Sequence, residues 1–282
     1  KLQSAAAMWR AFLLAGVLLG CARGAPDVEV VPVDSAESVG SVNLTVVPDA
    51  GGKGWNGYLS VVSGAWGLFS VITASPACQN VTKTSVMATA NDCSLAVNAG
   101  PFDVHKYTCD GLVMHDGRVL SEGGGAIFGL RALPSPAWVL GTVASSEEAS
   151  SLGITEAVAG FSWLVRFGKN EVAKKGGKVA PRTGYGVDSR GRLVMYEVDG
   201  CELCKVGRQG LALWDFAEAA RKAGLVHAIN MDGGGSSTTV LHGKVRNHPT
   251  SSDTELFLER PVTTAACIKS KSRVKSEEIQ RR

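Results

Sequence analysis

The chain of 282 residues lacks most of the signatures that announce a reaction at sight. Gly52-Lys53, Gly177-Lys178 and Gly243-Lys244 each miss the upstream glycine and following hydroxyl of a phosphate-binding loop. No G-x-S-x-G elbow and no H-E-x-x-H helix is present, so those hydrolase and zinc-protease chemistries are excluded. Gly123-Gly124-Gly125 is not followed by the third glycine of a dinucleotide fingerprint, and the five histidines are scattered. No cofactor is therefore expected and no metal-ligand motif is readable, although Asp232 and its neighbouring hydroxyls leave a hard cation open. A basic domain is missing as well. The net charge of +3 comes from the ends, because residues 1–25 contain three basic residues and no acid, and 269–282 contain six basic against two acidic. The body between them has 20 basic and 24 acidic residues, which excludes a nucleic-acid footprint.

Long apolar runs are also absent. Met8 to Ala25 reads as a secretory signal, with Arg10 before a run of about ten apolar residues and small residues at Ala22, Gly24 and Ala25. That run is too short for a span of roughly 20, and no later segment would cross a bilayer. Residues 1–7 are read as leader. Leu18-Leu19-Gly20-Cys21 offers a competing lipoprotein signal, which Leu19 fits poorly. The expected location is the secretory pathway or outside the cell. Asn43-Leu44-Thr45 and Asn80-Val81-Thr82 are glycosylation sequons in a eukaryotic host. Six cysteines remain after Cys21, an even number that suits an oxidising compartment and allows 15 pairings. Cys201-Glu202-Leu203-Cys204 reads as a local disulfide, since no second C-x-x-C or histidine cluster supports zinc.

Glycine is what the chain has in excess, with 34 residues against about 20 for an average composition. That excludes a helical bundle and predicts an α+β fold, a mixed and mostly antiparallel sheet core with few helices. Residues 26–57 read as an irregular N-terminal or pro-segment, or an entry strand. Residues 58–268 read as the single large domain, and 269–282 as a basic tail or linker. Hairpins are predicted at Asp116-Gly117, at Ser189-Arg190-Gly191 and at His242-Gly243. Helices are predicted at 147–151 and 211–223, the second stopped by Gly224 and followed by a buried strand to Met231.

Three elements carry chemistry. Asn230-Met231-Asp232-Gly233-Gly234-Gly235-Ser236-Ser237 sets a carboxylate at a strand end, then glycines whose N–H groups can converge on an anion. Arg182-Thr183-Gly184-Tyr185-Gly186 opens a strand with a guanidinium suited to phosphate. Asn98-Ala99-Gly100-Pro101-Phe102-Asp103 ends an apolar run with an amide and a turn. In this order and spacing they resemble the phosphodiester glycosidase family, whose corresponding stretches are Asn-Gly-Gly-Phe/Tyr-Phe, Arg-Thr-Ala-Ile-Gly and Asn-Leu-Asp-Gly-Gly-Gly-Ser. Arg260-Pro261 through Cys267 is similar to that domain's closing strand. The departures are Ala99, Pro101 and Gly184-Tyr185.

The resemblance implies hydrolysis of an N-acetylglucosamine-1-phosphodiester borne by a glycan or glycoprotein, at the anomeric carbon. It implies disulfides Cys78–Cys109 and Cys93–Cys267, leaving Cys201 to Cys204. Positive charge develops on the sugar ring in such a reaction, and two carboxylates are the usual arrangement. Asp232 is expected to stabilise the ring or activate water, and Arg182 with the Gly233, Gly234 and Gly235 amides to hold the phosphate. Asn98 and Ser236 are expected to orient sugar or phosphate oxygens, with Thr183, Asn230 and Ser237 completing the binding set. Glu122, before its own Gly-Gly-Gly run, is the expected second carboxylate, with Asp103 behind it. Two other readings stay open: a relative acting on microbial exopolysaccharide phosphodiesters, and a carbohydrate-binding domain without catalysis. An oligomer is possible.

Overall fold

The computed structural model describes residues 26–34, 40–202, 204, 207–251 and 256–270. The expected signal and leader, and all but the first two residues of the basic tail, lie outside the described residues.

Three antiparallel sheets meet at one core. The first orders its strands Asp27–Pro32, Ala137–Val143, Gly125–Arg131, Ile154–Ala159, Val113–His115 and Arg118–Ser121. The second runs Lys169–Asn170, Ser162–Arg166, Leu225–Asn230, Arg182–Asp188, Leu193–Val198, Trp55–Ser63 and Ser41–Gly52. The third runs Lys244–Val245, Thr239–Leu241, Cys93–Asn98, Thr264–Lys269 and Phe69–Thr73. Phe128, Trp138 and Leu140 from the first sheet, Tyr185, Leu193 and Ile229 from the second, and Val71, Leu95 and Ile268 from the third form the shared core. The outer face of each sheet is covered by one short helix. Leu213–Lys222 lays Phe216, Ala217 and Ala220 on the second sheet, Thr84–Ala90 lays Met87 and Ala88 on the third, and Ser146–Ser151 lays Ala149 on the first. Strands covered on both faces lose their alternation, which is why Leu193–Val198 is buried at every position.

The predicted hairpins form at their turn residues. Asp116 (φ 50°) and Gly117 (φ 72°) join Val113–His115 to Arg118–Ser121, and His242 (φ 51°) with Gly243 (φ 73°) does the same later. The two predicted helices and the strand into Asn230 are present. Two stretches hold more structure than expected. The stretch 26–57, read as irregular or as an entry strand, supplies the Asp27–Pro32 strand, the twelve-residue Ser41–Gly52 strand and the start of Trp55–Ser63. Asp27–Pro32 and Ser41–Gly52 are edge strands, so Pro32 and Pro48 cost little where one side needs no donor. The Thr84–Ala90 helix was not expected from Thr-Ser-Val-Met-Ala-Thr-Ala, which is poor in helix formers and has no side-chain cap. Its burial against the third sheet decides.

All three disulfides implied by the resemblance are present: Cys78–Cys109, Cys93–Cys267 and Cys201–Cys204. Among the described residues no helix is long and apolar enough to cross a membrane.

Candidate active site

The three elements singled out in the sequence converge on one strand end. Leu225–Asn230 pairs with Arg182–Asp188 through Asn230 opposite Gly184, and the Met231 N–H then donates to the Thr183 carbonyl at 2.9 Å. Asp232 is held from the third sheet: its N–H donates to the Ala99 carbonyl (2.9 Å) and its carbonyl accepts from Asn98 Nδ2 (2.7 Å). The chain then turns through a short 3-10 helix, Gly234–Ser236.

Each of these glycines meets a close neighbour. A side chain on Gly234, which has φ 59°, would collide with the Glu202 carboxylate. One on Gly235 would lie 2.6 Å from the Arg260 guanidinium. The glycine run therefore brings backbone against two charged groups that are distant in sequence. Around it lies a pocket of about 290 Å³ lined by Phe161, Lys178, Arg182, Glu202, Asn230, Asp232, Gly233, Gly234 and Arg260.

Its electrostatics are those of paired opposites. Burial raises the Asp232 pKa to about 6. The Ser236 hydroxyl, the Arg260 guanidinium and the Gly233 N–H pull it back down, while the Glu202 charge pushes it up. Arg182 is fixed by two carbonyls, Leu211 O to Nε (3.0 Å) and Lys178 O to a terminal nitrogen (2.5 Å). Burial lowers its pKa and the Glu202 charge partly restores it. Lys178 forms an ion pair with Glu202. The loop carrying Glu202 is closed by the Cys201–Cys204 disulfide.

Asp232, Arg182, Asn230, Gly233 and Gly234 thus come together around one pocket. Other expected residues stand elsewhere. Asn98 is fully buried and spends its amide inside, on the Asp232 carbonyl, the Thr238 N–H (3.0 Å) and the Thr183 hydroxyl (3.2 Å). Thr183 and Ser237 are bonded to each other in the same buried set. These three position the Asp232 loop instead of facing the pocket. The Gly234 N–H is taken by the Pro181 carbonyl at 2.9 Å, the Gly233 N–H serves Asp232 itself, and the buried Gly235 and Ser236 do not line the pocket, so the expected cradle of three amides does not form.

Glu122 does not line the pocket: it is exposed and accepts a bond from the Ser146 hydroxyl. Its glycines are packing devices, since a side chain on Gly124 would lie 2.5 Å from the Ala144 carbonyl oxygen. Asp103 is likewise local, capping the N–H groups of His105 (2.8 Å) and Lys106 (3.0 Å). The second carboxylate at the pocket is Glu202, and the second guanidinium is Arg260; sequence reasoning missed both, and Lys178. Glu202 had one available signal, its place between two cysteines three apart. Among the described residues no group of three or more His, Cys, Asp or Glu is arranged to hold a metal ion.

The model of one protein family, phosphodiester glycosidase, matches residues 91–269. The chain belongs to the phosphodiester glycosidase family. It is 30% identical over 281 residues to mouse N-acetylglucosamine-1-phosphodiester alpha-N-acetylglucosaminidase, covering 88% of this chain and 53% of the relative. The human protein of that name is 31% identical over 204 residues, covering 64% and 38%. The chain thus spans about half or less of the length of the curated relatives it matches. Its fold matches the zebrafish catalytic domain of the same name, described as auto-inhibited by its pro-peptide. That match has a TM-score of 0.72 and 23% identity over 87% of this chain and 89% of that one. A hypothetical protein from Synechocystis shares the fold at a TM-score of 0.57 and 14% identity, covering 86% and 64%.

Of the departures from the family pattern, Ala99, Gly184 and Tyr185 are buried and Pro101 is half-buried. The buried Tyr185 hydroxyl donates to the carbonyls of Val97 (2.8 Å) and Asn98 (2.6 Å), tying the second sheet to the third. At Gly184 a side chain would meet Leu164 at 2.8 Å.

Proposed function

We propose that this chain hydrolyses an N-acetylglucosamine-1-phosphodiester on a glycoprotein glycan, releasing N-acetylglucosamine and leaving mannose 6-phosphate. The observation that carries the reading is the half-buried Asp232 carboxylate beside the Arg260 guanidinium, in a pocket also lined by Arg182, Lys178 and Glu202. A phosphodiester is a monoanion, which suits the guanidinium groups of Arg182 and Arg260. Asp232 stands beside the anomeric carbon. As C1–O breaks, its electron pair passes to the phosphate and positive charge grows on the ring, where a carboxylate is favourable. A water oxygen bonds to C1 and its proton passes to a carboxylate, Asp232 or Glu202. The leaving group is a phosphomonoester held by cations, so it departs with less help from a general acid than an alcohol needs. Glu202 replaces Glu122 as the second carboxylate of this proposal.

The three disulfides support a secreted or lumenal protein. Asn43 and Asn80 are exposed, which supports their use as glycosylation sites.

The test is release of free N-acetylglucosamine from a mannose 6-phosphodiester, with and without chelator. Asp232→Asn should lower kcat by roughly 10²–10⁴-fold. Near-full turnover by Asp232→Asn, or none by the parent protein, defeats the reading.

A further inference from the structure

The catalytic pocket is small for the substrate just proposed. About 290 Å³ lies at the bottom of the range of roughly 300–1,000 Å³ that takes a drug-sized ligand, so it has room for one sugar and the phosphate. The second substituent on phosphorus must lie outside it. Arg260 marks the direction, because it lines a second hollow of about 370 Å³ formed with Val81, Phe102, Val104, Tyr107 and Pro261.

We infer that this hollow is the leaving-group subsite, holding a pyranose ring against Tyr107 and Val104 while Arg260 grips the bridging phosphate from between the two pockets. The inference rests on the functional reading above and adds the residues that select the aglycone.

Three observations support it beyond adjacency. Val104 and Tyr107 are 52% and 49% exposed, so apolar surface stands open beside a charged site. A pyranose presents the complementary surface, a C–H face on a hydroxyl-rich ring. The loop is also held rigidly. Cys109 is tied to Cys78, the Asp103 carboxylate caps His105 and Lys106, and the Tyr107 N–H donates to the Asp103 carbonyl at 2.8 Å. Finally, Tyr107 has φ 58°, a left-handed conformation disfavoured for a bulky side chain. A ring kept in that conformation and half in water by several constraints fits a ligand clamp. Asp103 thereby has a role that sequence alone misplaced: it shapes the subsite loop and takes no part at the anomeric carbon.

The test compares two diesters of N-acetylglucosamine-1-phosphate, one with a mannoside 6-hydroxyl as aglycone and one with methanol. Loss of an aromatic face is worth about 3- to 10-fold in binding. Tyr107→Ala should therefore lower the mannoside-to-methyl ratio of kcat/KM by about that factor through KM, and Tyr107→Phe should restore it. Phe167→Ala, which removes another exposed aromatic at positive φ outside both pockets, should leave the ratio alone. An unchanged ratio in Tyr107→Ala, or an equal drop with both diesters, overturns the subsite while the functional reading stands. If the parent protein cleaves neither diester, the functional reading falls and the subsite with it.

Discussion

Asp232 has neighbours that pull its pKa in opposite directions, and this makes its role testable by pH. Its carboxylate form is the one that assists at C1, so kcat/KM should rise with pH through about 6. Arg260 lowers that value and Glu202 raises it. Arg260→Ala should move the acid limb to higher pH, and Glu202→Gln to lower pH; limbs that stay put or move together would remove Asp232 from the chemistry. A second pair of carboxylates makes a statement about stability. Glu197 and Asp199 are 1% and 3% exposed, and burial first, then each other's charge at Glu197, raises both pKa values. The folded chain keeps protons there that the unfolded chain gives up. Their share of stability is therefore intact below the ordinary carboxylate range and is lost as pH rises through the raised values. Glu197→Gln should raise Tm at neutral pH, by about 2–4 °C per kcal/mol regained, and the gain should vanish near pH 4. Melting curves across that range decide it.

At the level of elements, two disulfides of unlike span do different work. Cys93–Cys267 closes 174 residues and joins two strands of the third sheet, whereas Cys201–Cys204 closes three. Chain entropy assigns about 5 kcal/mol to the first and about 2 kcal/mol to the second. Replacing Cys93 and Cys267 by alanine should lower Tm strongly. Replacing Cys201 and Cys204 should lower Tm by less than half as much but reduce kcat, because Glu202 loses its closed loop; thermal melts and turnover on the same preparations separate the two. The same contrast explains what the chain made legible. Asp116-Gly117 and Gly224 announced themselves because turns and helix stops are written in one or two residues. The meeting of Asn98, Arg182 and Asp232 was legible because each lies at or just past a strand end. Glu202, Lys178 and Arg260 were not, since tertiary packing alone brings irregular backbone to the glycine run. Glu122 misled for the same reason: Gly123–Gly125 and Gly233–Gly235 read alike, but one packs against the Ala144 carbonyl and the other against Glu202 and Arg260.

Over the whole molecule, charge is arranged locally. The body of 26–268 has four more acidic than basic residues, while the candidate site gathers Lys178, Arg182 and Arg260 around two carboxylates. Long-range steering of an anionic substrate needs a surface of one sign, and such steering weakens steeply as salt rises. Contacts made inside a partly buried pocket are screened far less. If the phosphate is held as proposed, kcat/KM for the diester should change by less than about threefold between roughly 50 and 300 mM salt. Lys178→Ala probes the same point from within. Lys178 is the most exposed of the three cations and is paired with Glu202. Its loss should leave the salt dependence flat and act through Glu202, shifting the pH profile further than it shifts KM. A steep salt dependence in the parent protein would instead assign substrate capture to the molecule's outer field and take the phosphate out of the Arg182–Arg260 pocket.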